Sequence, residues 1–211
     1  MPSGRFVTFE GGEGTGKSTQ SGILAERLRA EGILVCETRE PGGTQLGEAV
    51  RRLLVEGPVD RINPISELFL YAAARSEHIK SVIAPALSEG KWVVCDRFAD
   101  STTAYQGYGH KLGTHTTDDV YNLIQHRIMP DLTLIFDLPI ELGLRRAARR
   151  HGPETRYESM NLAYHERIRS GFLEIASHNP ERCQTINSDT TIEDTATTVW
   201  EIVHQRLLRP S

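Results

Sequence analysis

Lysine is scarce in this chain. Only Lys17, Lys80, Lys91 and Lys111 occur, so arginine makes up most of the 24 basic residues. A guanine-reading stretch of the N/T-K-x-D kind needs a lysine, and none of these four stands in that context. The guanine-switched GTPases are thereby set aside. Cysteine is equally thin. Cys36, Cys95 and Cys183 are scattered without zinc spacing, and two of them sit inside apolar runs ("ILVCET", "WVVCDR"), as buried free thiols do. No apolar run approaches the roughly 18 residues that a membrane span needs. An excess of positive charge is missing too: the net charge is −4, so bulk electrostatics do not favour a nucleic-acid surface. The opening "MPSGRFVTFEGG" runs straight into a strand pattern rather than a leader, so a reducing cytoplasm is expected. There is no repeat, low-complexity tract or linker, and residues 1–211 are expected to form one domain.

What is present alternates. Strand patterns are read at residues 6–10 ("FVTFE"), 33–38 ("ILVCET"), in "KWVVCDRF", in "LTLIFDLP" and in the short "CQTIN". Several are nearly continuous apolar runs, the mark of strands buried on both faces. Between them lie helical patterns: residues 18–31, closed by Gly32; "LGEAVRRLL"; and a long segment from the Asn63-Pro64 cap toward Glu89, which Pro85 either kinks or breaks. A last helix in "TTIEDTATTVWEIVHQRL" is given a capping box at Thr190 and Glu193. Strands joined by helical crossovers predict a mostly parallel sheet covered on both faces, a three-layer α/β/α fold with five strands.

The segment "GGEGTGKS" follows the first strand and opens the first helix. It matches G-x-x-x-x-G-K-[ST] in the context that the motif requires. Inward-pointing N–H groups and a helix N-terminus make an anion nest. Gly11, Gly12, Glu13, Gly14, Thr15, Gly16, Lys17, Ser18 and Thr19 are therefore the expected cradle for the phosphates of ATP or GTP. Lys17 is expected on the β- and γ-phosphates, and the Ser18 hydroxyl on Mg²⁺. Motor ATPases usually end their Walker B strand in an acidic pair. Here the third strand ends in Asp96-Arg97, one carboxylate for the metal side and one fork for phosphate, which suits a second phosphorylated substrate. The arginine-rich "LRRAARRHGPETR" reads either as a solvated helix face or as a phosphate-binding element.

"TREPGGT", "LFLYAAAR", "CDRFADSTTAYQG" and that arginine-rich run, taken with "FEGGEGTGKST", closely resemble the bacterial thymidylate kinases. The resemblance implies a P-loop NTPase fold with a mobile lid near residues 145–158, a homodimer, and transfer of phosphate from ATP to dTMP. It puts Arg39 and Arg97 on the dTMP phosphate, Asp96 beside Mg²⁺, and a cis peptide at Glu40-Pro41. Tyr71 would stack on thymine, where the family usually has Phe, and Arg75, four residues on, would donate to a base carbonyl. Phe69 nearby is read as core. Thr102 would read the base edge, Tyr105 would sit under the deoxyribose, and Gln106 is a further candidate in the same pocket. Lys17, Arg97, Arg149 and Arg150 are the expected catalytic set, with Arg156 the next lid candidate. Glu13 would accept from the sugar 3′-hydroxyl. One branch of the family carries an arginine where this chain has Gly14, and lacks the lid arginine. Two other readings are open: a kinase for another nucleoside monophosphate, or a nucleotide-switched binding module.

Overall fold

The computed structural model describes residues 4–124, 128–149 and 152–208. Five parallel strands form its sheet: β1 (Phe6–Gly11), β2 (Val35–Arg39), β3 (Trp92–Asp96), β4 (Leu132–Asp137) and β5 (Cys183–Asn187), in the order β2-β3-β1-β4-β5. The pleat sorts the side chains between two layers. Val7 and Phe9 of β1, Val94 of β3 and Leu132, Leu134 and Phe136 of β4 pack with Leu24, Leu28, Val199 and Val203. Those four belong to helices α1 (Lys17–Ala30) and, at the C-terminus, Ile192–Val203. Phe6, Val93 and Cys95 point the other way and pack with Ile79, Ile83 and Phe98. Thr8 and Thr133 are register partners and bond to each other at 2.9 Å within the buried sheet.

The same alternation places chemistry at the C-terminal edge. Glu10 falls on the Phe6 face and is fully buried. Asp96 falls on the opposite face, beside α1. Arg97 follows with φ 69, a left-handed conformation that is costly for a side chain with a Cβ and is tolerated where surrounding contacts enforce it.

Helix α2 (Gln45–Val55) is capped by Thr44, which accepts from the Gly47 N–H. Helix α3 (Pro64–His78) starts as read, with the Asn63 side chain accepting from the Ser66 N–H. The long segment expected to run to Glu89 is interrupted. Residues Ile79–Ile83 form a π turn, in which the Ala84 N–H reaches back to the Ile79 carbonyl, and a short helix α4 (Ala84–Ser88) follows. Pro85 has no N–H to donate, and the widened turn lies directly before it. A second π turn, Thr103–Gly109, follows the short helix α5 (Ala99–Thr102). Helices α6 (Thr114–Asn122), α7 (Ile140–Ala147), α8 (Leu162–His178) and α9 (Ile192–Val203) complete the layers. The final cap sits one residue later than read: Thr191 accepts from the Asp194 N–H.

Candidate active site

The C-terminal ends of β1, β2 and β3 open into one continuous cleft of about 1120 Å³. Its walls include the phosphate loop, the 38–43 turn, Tyr71, Arg75, Arg97, Tyr105 and Gln106, and on the far side Arg146, Glu154, Thr155 and Tyr157. Parallel sheets bind ligands at this edge, where neighbouring crossovers diverge.

The phosphate loop wraps around Lys17. Its ammonium donates to the Gly12 carbonyl at 2.6 Å and to Thr15 Oγ1 at 3.1 Å. Burial, and then the nearby Arg97 charge, lower its pKa to about 7. Gly16 caps α1 with φ 92. Gly14 has φ +66, and a Cβ there would run into the Gly143 carbonyl oxygen of α7. This chain therefore cannot carry an arginine at that position without moving α7 away.

Ser18 Oγ donates to Asp96 Oδ2, while Asp96 Oδ1 is buried with no partner among the described residues. A hydroxyl beside a carboxylate with a spare buried oxygen is a donor set that fits Mg²⁺ or its water shell.

Arg97 is held on every side. Nη1 donates to the Gly11 carbonyl at 2.9 Å and Ser101 Oγ at 3.1 Å, and Nη2 to Glu13 Oε1 at 3.1 Å and Tyr105 OH at 2.9 Å. The Tyr105 hydroxyl in turn donates to Glu13 Oε1 at 2.6 Å. Glu13 thus turns out of the phosphate nest toward the opposite wall.

On that wall, Arg75 is only 3% exposed. Its Nε pairs with Glu40 Oε2 at 2.7 Å, and Nη2 donates to the Phe98 carbonyl at 3.0 Å. Glu40 Oε1 meets His78 Nδ1 at 2.9 Å, and its peptide to Pro41 is cis. Tyr71 lines the cleft and donates to the Tyr157 hydroxyl at 3.0 Å, which gives the hydroxyl a partner without removing the ring from the wall. Gln106 is fully buried at the wall. Arg39 is half-exposed, and both oxygens of Glu48 accept from its Nη2, at 3.2 and 3.0 Å.

A scan of family models matches the thymidylate kinase model to residues 9–199. Thymidylate kinase of Caulobacter vibrioides is 50% identical over 210 residues, covering 98% of this chain and 99% of that one. The Magnetococcus marinus enzyme is 46% identical, covering 96% and 97%. A crystal structure of thymidylate kinase from Ehrlichia chaffeensis superposes with a TM-score of 0.77 at 36% identity, covering 96% of this chain and 99% of that one. The chain belongs to the thymidylate kinase family.

Within that family frame, several expected residues sit elsewhere. Thr102 is buried, its Oγ1 has no partner among the described residues, and it is not among the residues lining the cleft. Phe69, read as core, is 55% exposed, because α3 turns Glu67, Leu68, Ala74 and Arg75 inward instead. Arg156, the third lid candidate, is 1% exposed and anchors the fold: it donates to the Leu54 and Val59 carbonyls and pairs with Glu67 at 2.6 Å. Arg149 is exposed beyond the end of α7 and does not line the cleft, and Arg150 lies outside the described residues. Among the described arginines of this run, Arg146 lines the cleft, and it donates to the Ser188 carbonyl at 3.1 Å.

Other wall residues had carried no assigned role. Arg51 grips Glu154 with Nε and Nη2 at 2.8 and 2.6 Å and donates to the Pro41 carbonyl at 3.1 Å, tying α2 to the 152–158 segment. Arg51 stands four residues after the buried Gly47 and four before the buried Val55 of α2, and that spacing was the available signal. Nothing local in the sequence marks Glu154 as its partner.

Proposed function

We propose that the chain transfers the γ-phosphoryl group of ATP to dTMP, giving ADP and dTDP, a step in dTTP synthesis. The observation that carries this reading is the continuity of the cleft, which runs from the phosphate loop to a wall bearing an aromatic ring, a buried guanidinium and a buried amide. ATP would lie on the loop, with Lys17 released from the Gly12 carbonyl to its phosphates. The dTMP base would lie against Tyr71, and its phosphate between Arg39 and Arg97. Glu13 and Tyr105, already bonded, would meet the deoxyribose.

The acceptor is an ionised phosphate oxygen, so no strong general base is required. The chemistry asks for two polyanions held in line and for fixed positive charge around the transferred group. Arg97 supplies such a charge without reorganising, because four acceptors already hold its guanidinium. Mg²⁺, which Ser18 and Asp96 would hold, would add charge stabilisation on the donor phosphates. The 145–158 segment would act as a lid, with Arg149 or Arg150 reaching the transferred group only on closure. Exposed Ile65 and Phe69, four residues apart on α3, offer a homodimer face. A cytoplasmic location fits the free thiols of Cys36, Cys95 and Cys183.

The test is formation of dTDP from ATP and dTMP, compared with dUMP, dGMP and AMP as acceptors. A clear preference for dTMP is expected. Equal use of another monophosphate would transfer the reading to that substrate. ATP binding without any acceptor turnover would point to a nucleotide-switched module.

A further inference from the structure

Glu67, Tyr71 and Arg75 stand four residues apart along one face of α3. The second and third line the cleft; Glu67 is buried at 0% exposure beneath it. Its Oε1 accepts from Gln106 Nε2 at 2.7 Å and meets His110 Nε2 at 3.1 Å, and its Oε2 lies 2.6 Å from Arg156 Nη1. Gln106 is itself fully buried, and its Oε1 has no partner among the described residues.

The two ends of a glutamine amide look alike but act oppositely. The NH₂ only donates and the oxygen only accepts. A free amide can present either one by rotating. This amide cannot, because an ionised carboxylate accepts only, and the end that faces it must be the NH₂. Full burial pushes the Glu67 carboxyl up, but the His110 bond, the Arg156 charge and the Gln106 bond outweigh it and hold the group below its usual range.

We propose that Glu67 is a specificity-determining positioning residue: it locks the Gln106 amide so that only a carbonyl oxygen faces the base. The locked acceptor stands on the same wall as the donating guanidinium of Arg75. A donor next to an acceptor complements an edge with a carbonyl beside a ring N–H, as in thymine. Cytosine has the opposite pattern, an amino group beside an unprotonated nitrogen. A buried acceptor left unpaired by the wrong base imposes the discrimination. The lock is set by Glu67 of α3, held in turn by His110 just after the π turn and by Arg156 of the 152–158 segment; none of these three has to touch the base.

This inference rests on the placement of the dTMP base proposed above. The probe is 3-deaza-dTMP, which keeps the ring, the 2-carbonyl and the methyl group, carries its second oxygen as an enol hydroxyl that still accepts from Arg75, and replaces the ring N–H by C–H. Wild-type enzyme is expected to prefer dTMP by about tenfold in kcat/KM, the size of one hydrogen bond withheld from a buried acceptor. Glu67→Gln lets the two amides pair in either sense and should cut the preference to about twofold, with the loss falling on KM more than on kcat. Glu67→Asp keeps the charge opposite Arg156 and His110 but draws it back from Gln106, so it gives the same reading if the first variant does not fold. Gln106→Met should show the same low ratio, and adding Glu67→Gln to it should lower the ratio no further. A merely structural role would reduce turnover of both substrates alike. Retention of the wild-type preference by folded Glu67 variants would overturn the role of Glu67 while leaving Gln106 on the base. Absence of any preference in the wild type would overturn both.

Discussion

Tyr105 donates its hydroxyl to Glu13 across the cleft, at 2.6 Å. A carboxylate in the middle of a phosphate loop looks misplaced until this bond is seen. On the function proposed above the backbone of the loop would serve the donor nucleotide, while the Glu13 side chain bonds to Arg97 and Tyr105 on the opposite wall. Glu13→Gln keeps the shape but removes the charge that meets Arg97. We expect the KM for dTMP to rise by about tenfold, as charge-assisted bonds are weakened, and the KM for ATP to change far less. An ordinary dTMP KM in this variant would remove Glu13 from the acceptor site.

Lys17 makes a prediction about protons. Its pKa of about 7 follows from burial and from the Arg97 charge, so a large share of the free protein carries it neutral at pH 8. Triphosphate oxygens restore the preference for the charged form. ATP binding should therefore take up close to one proton at pH 8 and much less at pH 6. Calorimetry in two buffers of different ionisation enthalpy measures this, and Lys17→Met should abolish the difference. Equal uptake at both pH values would show that the lysine is not depressed.

The arginine-rich run divides by position. Arg146 is in the cleft wall, bonded to the Ser188 carbonyl, whereas Arg149 is exposed beyond α7. Arg146→Ala is expected to raise the KM for ATP. Arg149→Ala is expected to lower kcat by more than tenfold, with smaller changes in KM, as for a contact made only in the transition state. The reverse pattern, with kcat lost at Arg146, would move the catalytic role to that residue.

Arg156 should behave as a structural residue. Removing one partner of a buried ion pair costs about 3–5 kcal/mol. Arg156→Ala should therefore lower Tm by about 10 °C in a chain of this size. A variant with normal Tm and reduced kcat would restore the lid role read from its place in "ETRYE".

These cases show where the sequence was legible. The strands were, because burial on both faces leaves uninterrupted apolar runs such as "WVVCD" and "LTLIFD". The tight turn from β1 into α1 was, because "GGEGTGKS" encodes it in consecutive residues. Arg156 was not. It stands in a run of arginines that the helical period cannot distinguish, and its partner Glu67 comes from α3, far away in the chain. The Arg51–Glu154 and Arg75–Glu40 pairs were hidden for the same reason. Phe69 misled because an aromatic residue two positions from Tyr71 has the composition of core but lies on the outer face of α3. The break at Ile79–Ile83 was half-legible, since Pro85 signals a missing donor but not the π turn that accommodates it.

Glu10 gives the last prediction. Its carboxyl is fully buried, and its pKa is pushed up to about 8 by that burial and by the Asp100 charge, against the pull of Ser101, Arg97 and the Phe98 N–H. An unfolded chain would release this proton at the ordinary carboxylate range. Between these two values the folded state holds more protons than the unfolded one, so this group makes stability fall as pH rises from about 5 to about 8. The contribution is fully present below the unfolded pKa and lost above the folded one. Glu10→Gln should remove that slope without disturbing the site. The amide oxygen can accept from the Phe98 N–H, and the NH₂ can donate to Ser101 Oγ, since a hydroxyl accepts as well as donates. The measurement is the Tm of both proteins from pH 5 to pH 9. The variant should gain on the wild type from pH 5 to about 8 and level off above it, and a constant difference would show that Glu10 is ionised in the fold throughout.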